Sequence, residues 1–341
     1  MINDSTALFI CPDFFDYKKY ITQELSSKYK KVISLSDRPA CSSIAKALIK
    51  YNAPVYSSAI AAKYSQHIIN LIENELPNIS DVIIIKGTCI TPSFIEQLRS
   101  KKNDINIVCY SWDSISNIKT FISLAEKADK SFTFDLKDSV DYKLNYLPLF
   151  YVDHAVCVDI SDASDSTITN NIFDYTFIGS YHGDRIRVLS KFLSKKPNSK
   201  SFIKIYFQSY LQYLFYLATD SSLRSCSKEW ITFKPLSRVE LEAKVECSEA
   251  IIDIHHSGQT GLTMRTWETL HAGHRLITTN PVVLLHTTTK LATVIDRDSG
   301  TEWESDQCEK YRYELLKLVP HSVSYESLPL SDWIMALLMK S

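Results

Sequence analysis

Short unbroken apolar runs alternate along the chain with stretches whose apolar positions return every three or four residues. Ala7–Cys11, Lys31–Leu35, Asp81–Ile85 and Ile105–Tyr110 read as strands buried on both faces. Between them, helices are predicted over Tyr20–Tyr29, Ser57–Glu75 and Pro92–Ser100, so the first half alternates strand and helix as a parallel sheet does. A polar stretch, 159–172, interrupts the pattern and reads as a linker. The alternation then resumes with strands at Tyr175–Ser180, Phe202–Phe207, Ala250–Ile254 and Arg275–Thr279. Ser237 followed by Glu240 is a capping-box signature for a helix ending near Cys247, and the tail predicts helices over Ser305–Leu318 and Ser331–Lys340.

The stretch from Gly258 to Asn280 carries the most chemistry. It leaves an apolar strand through His255 and His256, turns at Gly258 and Gly261, forms a short helix closed by Gly273, and re-enters the sheet. On that helix Met264, Trp267 and Leu270 make the predicted buried stripe, while Arg265 and Glu268 are neighbours on another face. Arg265 sits near the positive end of the helix dipole, a poor place for a cation unless something anionic is close. Two readings follow. Arg265 pairs with Glu268 in an intrahelical contact of a few tenths of a kcal/mol, or the helix N-terminus and the arginine fork bind a phosphate group.

Composition narrows the classes. Hydrophobic residues at 45% and charged ones at 23% fit a globular protein, and 341 residues suffice for two ordinary domains. Lys plus Arg (38) nearly cancel Asp plus Glu (39), and no dense basic run exists to track a nucleic-acid backbone. Eight cysteines without a paired spacing fit a reducing compartment, and neither an export signal nor a run of apolar residues long enough to span a membrane is evident, so a cytoplasmic location is expected. No G-x-G-x-x-G fingerprint occurs, which argues against a NAD-type enzyme.

Thr263-Met264-Arg265-Thr266-Trp267-Glu268 with Ala272-Gly273 and Leu276-Ile277 resembles the C-terminal donor segment of GT-B glycosyltransferases. With Tyr110-Ser111-Trp112-Asp113-Ser114 and Leu147-Pro148-Leu149-Phe150-Tyr151, it is similar to the bacterial polysaccharide and lipopolysaccharide transferases of the CgeB-like group, over most of residues 80–280. The resemblance implies an α/β protein of two Rossmann-like domains whose parallel sheets face across a cleft. It divides the chain into an acceptor domain at 1–158, the linker, a donor domain at 173–325, and a final helix at 326–341 that returns to the first domain. It implies a nucleotide-sugar donor, a glycan or glycolipid acceptor, no metal or other cofactor, and donor contacts from Gly179, Ser180, Arg185, Lys234 and His256. Gly258, Gly261, Thr263, Arg265 and Glu268 complete that set. One departure stands out: retaining members carry two glutamates separated by seven residues, and Thr260 stands where the first would be. A nucleotide-sugar epimerase of the same fold and a non-catalytic binding protein are the alternatives.

In the first domain Asp113 and Asp13 follow strands, where ligands of such sheets bind, and are candidates for a general base. Both residue types also cap helices and turns, and those roles stay open. Adjacent His255 and His256 leave a strand in opposite directions, so no metal site is read there. The aromatic segment Tyr210–Leu217 is expected to be a core helix, because it lacks a basic polar face; nearby Lys228, Lys234 and Arg238 keep peripheral membrane contact in view.

Overall fold

The computed structural model describes residues 3–13, 16–40, 54–152, 172–286, 290–318 and 325–339; residues 159–171 of the predicted linker lie outside them. The chain forms two compact units, residues 1–150 with 327–341, and residues 151–326.

The first unit runs β1 (Asn3–Ile10), α1 (Tyr17–Ser26), β2 (Tyr29–Leu35), α2 (Pro54–Ile72), β3 (Ile79–Ile85), α3 (Pro92–Lys101), β4 (Asn106–Ser111), α4 (Thr120–Ala125), β5 (Lys130–Thr133), α5 (Leu136–Tyr142) and β6 (Asn145–Tyr146). Its strands are ordered β2-β1-β3-β4-β5-β6 and pair in parallel throughout. Leu8, Ile10, Val82, Ile84, Ile107 and Cys109 project to one face and pack on Phe94, Ile95 and Leu98 of α3 and Phe121 of α4. The opposite face holds an aromatic cluster that includes the last helix, α12 (Leu330–Leu338). Trp333 stacks edge-on to Tyr110 at 4.9 Å, lies 4.8 Å from Phe150, and donates its indole N–H to the Pro148 carbonyl at 3.1 Å. That buried indole has both an apolar surface and a partner for its polar atom, which is what holds the C-terminal segment on this domain.

The second unit runs β7 (Phe173–Ser180), α6 (Arg185–Ser194), β8 (Ser201–Tyr206), α7 (Tyr210–Thr219), α8 (Ser221–Ser225), β9 (Ile231–Thr232), α9 (Arg238–Glu246), β10 (Ser248–Asp253), α10 (Met264–His271), β11 (Arg275–Thr278), β12 (Ala292–Val294) and α11 (Ser305–Leu318). Its sheet is also parallel, ordered β12-β11-β10-β7-β8-β9. The capping box on α9 is present, with Ser237 and Glu240 bonding reciprocally.

In each sheet the chain starts in the middle, walks to one edge, and returns to the other side. Strand order therefore reverses between β1 and β3 in the first unit and between β7 and β10 in the second. Neighbouring loops part at such a reversal, leaving a crevice at the carboxyl ends of the two strands.

The core reading of the aromatic segment is corrected. Tyr213, Tyr216 and Leu217 of α7 lean on the core around Phe207, but none of the helix's residues is fully buried. Tyr210, Leu211, Leu214 and Phe215 are exposed. The sequence signal failed because a helix apolar on all sides looks the same whether one face or both are covered.

Candidate functional site

The reversal between β7 and β10 is where most of the expected donor residues meet. β7 delivers Gly179 and Ser180; three residues past its turn, Asp184 and Arg185 open α6. β10 ends at Asp253 and passes through Ile254, His255 and His256 toward Gly258. Arg185 ties the two strand ends together: its Nε donates to the Ile254 carbonyl and its Nη1 to the Ser180 carbonyl, both at 2.9 Å. A Cβ at Gly179 would sit 3.0 Å from the Phe177 ring and 3.5 Å from that Nη1, so the glycine keeps room for the guanidinium.

Helix α10 begins later than the glycine pattern implied. Gly261 does not open it; Thr263 is the N-cap, its Oγ1 accepting from the Thr266 N–H at 3.2 Å. The reason lies in Asp253, buried at the end of β10, whose Oδ2 accepts from the hydroxyls of Thr263 and Thr266, each at 2.7 Å. The strand end thus fixes the helix start, since both threonines must face the same carboxylate. The far end follows the sequence reading: Gly273 has φ +77, its N–H bonds to the Leu270 carbonyl, and His274 N–H bonds to that of Thr269, a Schellman closure. Trp267 and Leu270 are buried as expected, with Thr266 and Thr269 alongside them; Met264 is only half-buried.

Arg265 occupies the first turn. It makes no hydrogen bond or ion pair with any described residue, and the intrahelical pairing with Glu268 is absent. Glu268 instead lies 3.9 Å from Arg238 Nη2 on α9. Burial and the neighbouring cations Arg265 and Arg297 pull the Arg185 guanidinium below its ordinary pKa, opposed by Asp253 and Asp184. An arginine stays protonated regardless, so the site holds concentrated positive charge at a helix N-terminus.

A second network backs this crevice. Arg297, just past β12, bonds Asp184 Oδ1 and the His255 carbonyl, both at 2.6 Å. His255 Nδ1 and Thr279 Oγ1 are 2.7 Å apart. Burial, helped by Arg297, lowers the His255 pKa to about 4, so the ring is neutral and acts as a fixed dipole. Asp184 is held below the ordinary carboxylate range because Arg297 and Arg187 outweigh the opposing effect of its burial. One guanidinium therefore fastens the ends of β7, β10 and β11.

His256 stands toward the mouth, half-buried, its Nδ1 accepting from the Gly258 N–H at 3.1 Å and its ring edge-on to His182 at 4.2 Å. Lys234 is not brought in by any contact; it is exposed past β9, at the edge of the sheet. Sequence reasoning missed Asp253, Asp184, His255 and Arg297. The signal for Asp253 was an acid inside an apolar run; nothing local marked Arg297, which reaches the site only through the β11–β12 pairing.

In the first unit the two strands that part at the reversal lead on to Asp13, past β1, and to Lys86 and Gly87, past β3. Asp113, at the end of the adjacent β4, pairs with Lys86 Nζ at 2.7 Å and accepts from Asn117 Nδ2 and the Ser114 N–H. Lys86 itself has φ +66, in the left-handed region uncommon for a side-chain-bearing residue. Asp13 pairs with Lys18 at 2.7 Å, and that bond lowers its pKa, which makes it a weak proton acceptor. Among the described residues no group of three His, Cys, Asp or Glu side chains is placed to hold a metal, and no helix is long and apolar enough to cross a membrane.

Comparisons with protein-family models and with curated proteins each found no match. Solved structures do match. The MnaA protein of S. aureus, determined with UDP, is 12% identical, with a TM-score of 0.54 over 97% of this chain and 95% of that one. The UDP-GlcNAc 2-epimerase of Neisseria meningitidis, bound to UDP-GlcNAc, is 10% identical, with a TM-score of 0.55 over 98% and 99% of the two chains. At such identities the likeness concerns architecture, and with two six-stranded parallel sheets in order it identifies the fold as GT-B, built of two Rossmann-like domains.

Proposed function

We propose that this chain is a metal-independent glycosyltransferase that takes a nucleoside-diphosphate sugar at the β7–β10 crevice and passes the sugar to a glycan or glycolipid acceptor of bacterial surface polysaccharide synthesis. The observation that carries the donor half is Arg265, a first-turn cation with no partner among the described residues, and close enough to Arg185, whose guanidinium ties the ends of β7 and β10, for the two charges to act on each other. A dianionic diphosphate is a ligand that this arrangement fits. The resemblance of residues 80–280 to surface-glycan transferases supports the acceptor half.

In this reading Arg265, Arg185 and the free N–H groups of α10 hold the diphosphate, and Glu268 accepts from the ribose hydroxyls. The acceptor hydroxyl oxygen bonds to the anomeric carbon as the bond from that carbon to the phosphate oxygen breaks, and the electron pair leaves with the diphosphate. Asp113 takes the hydroxyl proton. The two arginines stabilise the growing negative charge on the leaving group, the work a metal ion does in other transferases.

Calorimetric titration with UDP, GDP, CMP and their sugar conjugates tests the donor half. A ligand at a hundred times its dissociation constant should stabilise the fold by about 2.7 kcal/mol, and silence across the whole set overturns the proposal. A second reading, sugar epimerisation, is favoured by the likeness to a UDP-GlcNAc 2-epimerase. Product analysis separates the two, since an epimerase alters the sugar with no acceptor present and a transferase does not.

A further inference from the structure

Helix α7 is ten residues long and carries no charged side chain: Tyr-Leu-Gln-Tyr-Leu-Phe-Tyr-Leu-Ala-Thr. Its inward pairs, Gln212 with Tyr213 and Tyr216 with Leu217, are half-buried. The outward pairs, Tyr210 with Leu211 and Leu214 with Phe215, are 61%, 79%, 41% and 63% exposed. They fall at i, i+1, i+4 and i+5, so they form one continuous ridge. Phe233, 43% exposed, extends it, its ring 5.8 Å from that of Tyr210. Singly exposed apolar residues are ordinary on a soluble protein, but five contiguous aromatic and leucine side chains mark a surface that meets something.

Charge at the ends of the ridge indicates what it meets. Beyond Phe233 lies the exposed Lys234, and at the other end the exposed Arg224 bonds through Nη1 to the Leu217 and Ala218 carbonyls, which anchors its cation to the end of α7. Lys228 is exposed between them in sequence. The acids of the same segment are Glu229 and Asp220, and Asp220 is engaged by the Tyr181 hydroxyl and by Ser222. A two-fold contact between copies would lay this ridge on itself and bring the cationic ends of one copy against those of the other. An anionic bilayer surface offers the opposite: hydrocarbon for the ridge, an interfacial zone suited to tyrosine, and negative headgroups for the flanking cations.

We propose that the outward face of α7, with Phe233, is a docking surface for anionic membrane lipid, seating the second domain on a bilayer. The proposal is independent of what the β7–β10 crevice binds. It is tested by sedimenting the full chain with phosphatidylcholine vesicles and with vesicles also containing phosphatidylglycerol. Expected is binding to the anionic vesicles, weaker in high salt and weaker on the neutral ones. Leu211→Glu and Phe215→Glu, placed on the most exposed positions and outside the fold's core, should each lower vesicle affinity by roughly tenfold or more while circular dichroism and the thermal transition stay unchanged. Three results overturn it: no binding to either vesicle, full binding by both variants, or a concentration-dependent dimer in solution that the same substitutions abolish.

Discussion

Glu268 lies 3.9 Å from Arg238 on the preceding helix and leaves Arg265, three residues before it on its own helix, without an anionic partner among the described residues. The strength of that separation is that it can be tested one residue at a time.

Arg265→Lys keeps the charge and loses the planar fork, so nucleoside-diphosphate affinity should fall about tenfold, and Arg265→Glu should abolish binding. Thermal stability should hold in both, since no hydrogen bond or ion pair with a described residue is removed. Activity should survive chelation. Calorimetry and an assay with EDTA check these points; full activity in Arg265→Lys, or activity lost to EDTA and restored by magnesium, contradicts them.

Glu268→Ala should weaken donor binding with a stability change of less than about 1 kcal/mol, because Arg238 retains Glu242 at 2.6 Å. Unaltered donor affinity in the variant would remove Glu268 from the site.

Asp253→Ala should be among the most disruptive single changes in the second domain. It removes the acceptor of two threonine hydroxyls, that of the buried Thr266 and that of the half-buried Thr263, and an anion near Arg185. A loss of about 3 kcal/mol or more is expected. A urea unfolding curve measures it, and a loss under about 1 kcal/mol would show that the α10 cap does not depend on this carboxylate.

Asp113→Asn should lower turnover by roughly 10²–10⁴-fold and leave donor affinity intact, since an amide cannot take the acceptor's proton. Near-normal turnover would leave Asp113 as the organiser of the Lys86 and Asn117 turn.

His286 gives an acid-side prediction. It is buried against Trp267, with ring centroids 4.6 Å apart and neither ring nitrogen hydrogen-bonded to a described residue; Glu326 stands 3.9 Å away, beyond bonding distance. Burial lowers its pKa from 6.5 to about 3. Below about pH 6.5 the unfolded chain takes up a proton that the folded chain refuses, so stability is present above that pH and is lost as pH falls toward about 3. His286→Phe should flatten that loss and change stability at pH 7 by no more than about 1 kcal/mol. An unchanged pH slope in denaturant titrations would place the loss elsewhere, with His255 next to examine.

The sequence by itself determined the elements and their order. Short unbroken apolar runs rich in β-branched residues, such as Val82–Ile85, read as strands covered on both sides, and the alternation with helices then favours parallel pairing. Local signals also marked the Ser237 capping box and the Gly273 closure, because both are settled within a few residues of chain. The segment around Arg265 was legible for the same reason. What the sequence left open was every choice between partners. Whether Arg265 pairs with Glu268 depended on where α9 puts Arg238; where α10 starts depended on a carboxylate ten residues earlier; and Arg297, over a hundred residues from Asp184, joined the site only when β12 took its place beside β11. The aromatic helix shows the same limit: its side chains state that it is apolar, and only the packing of the domain around Phe207 decides which half is covered and which half faces outward. Hydrophobic period and capping act over one or two turns and are written in the chain, whereas ion pairing and burial are decided by which distant segments the sheet order brings together.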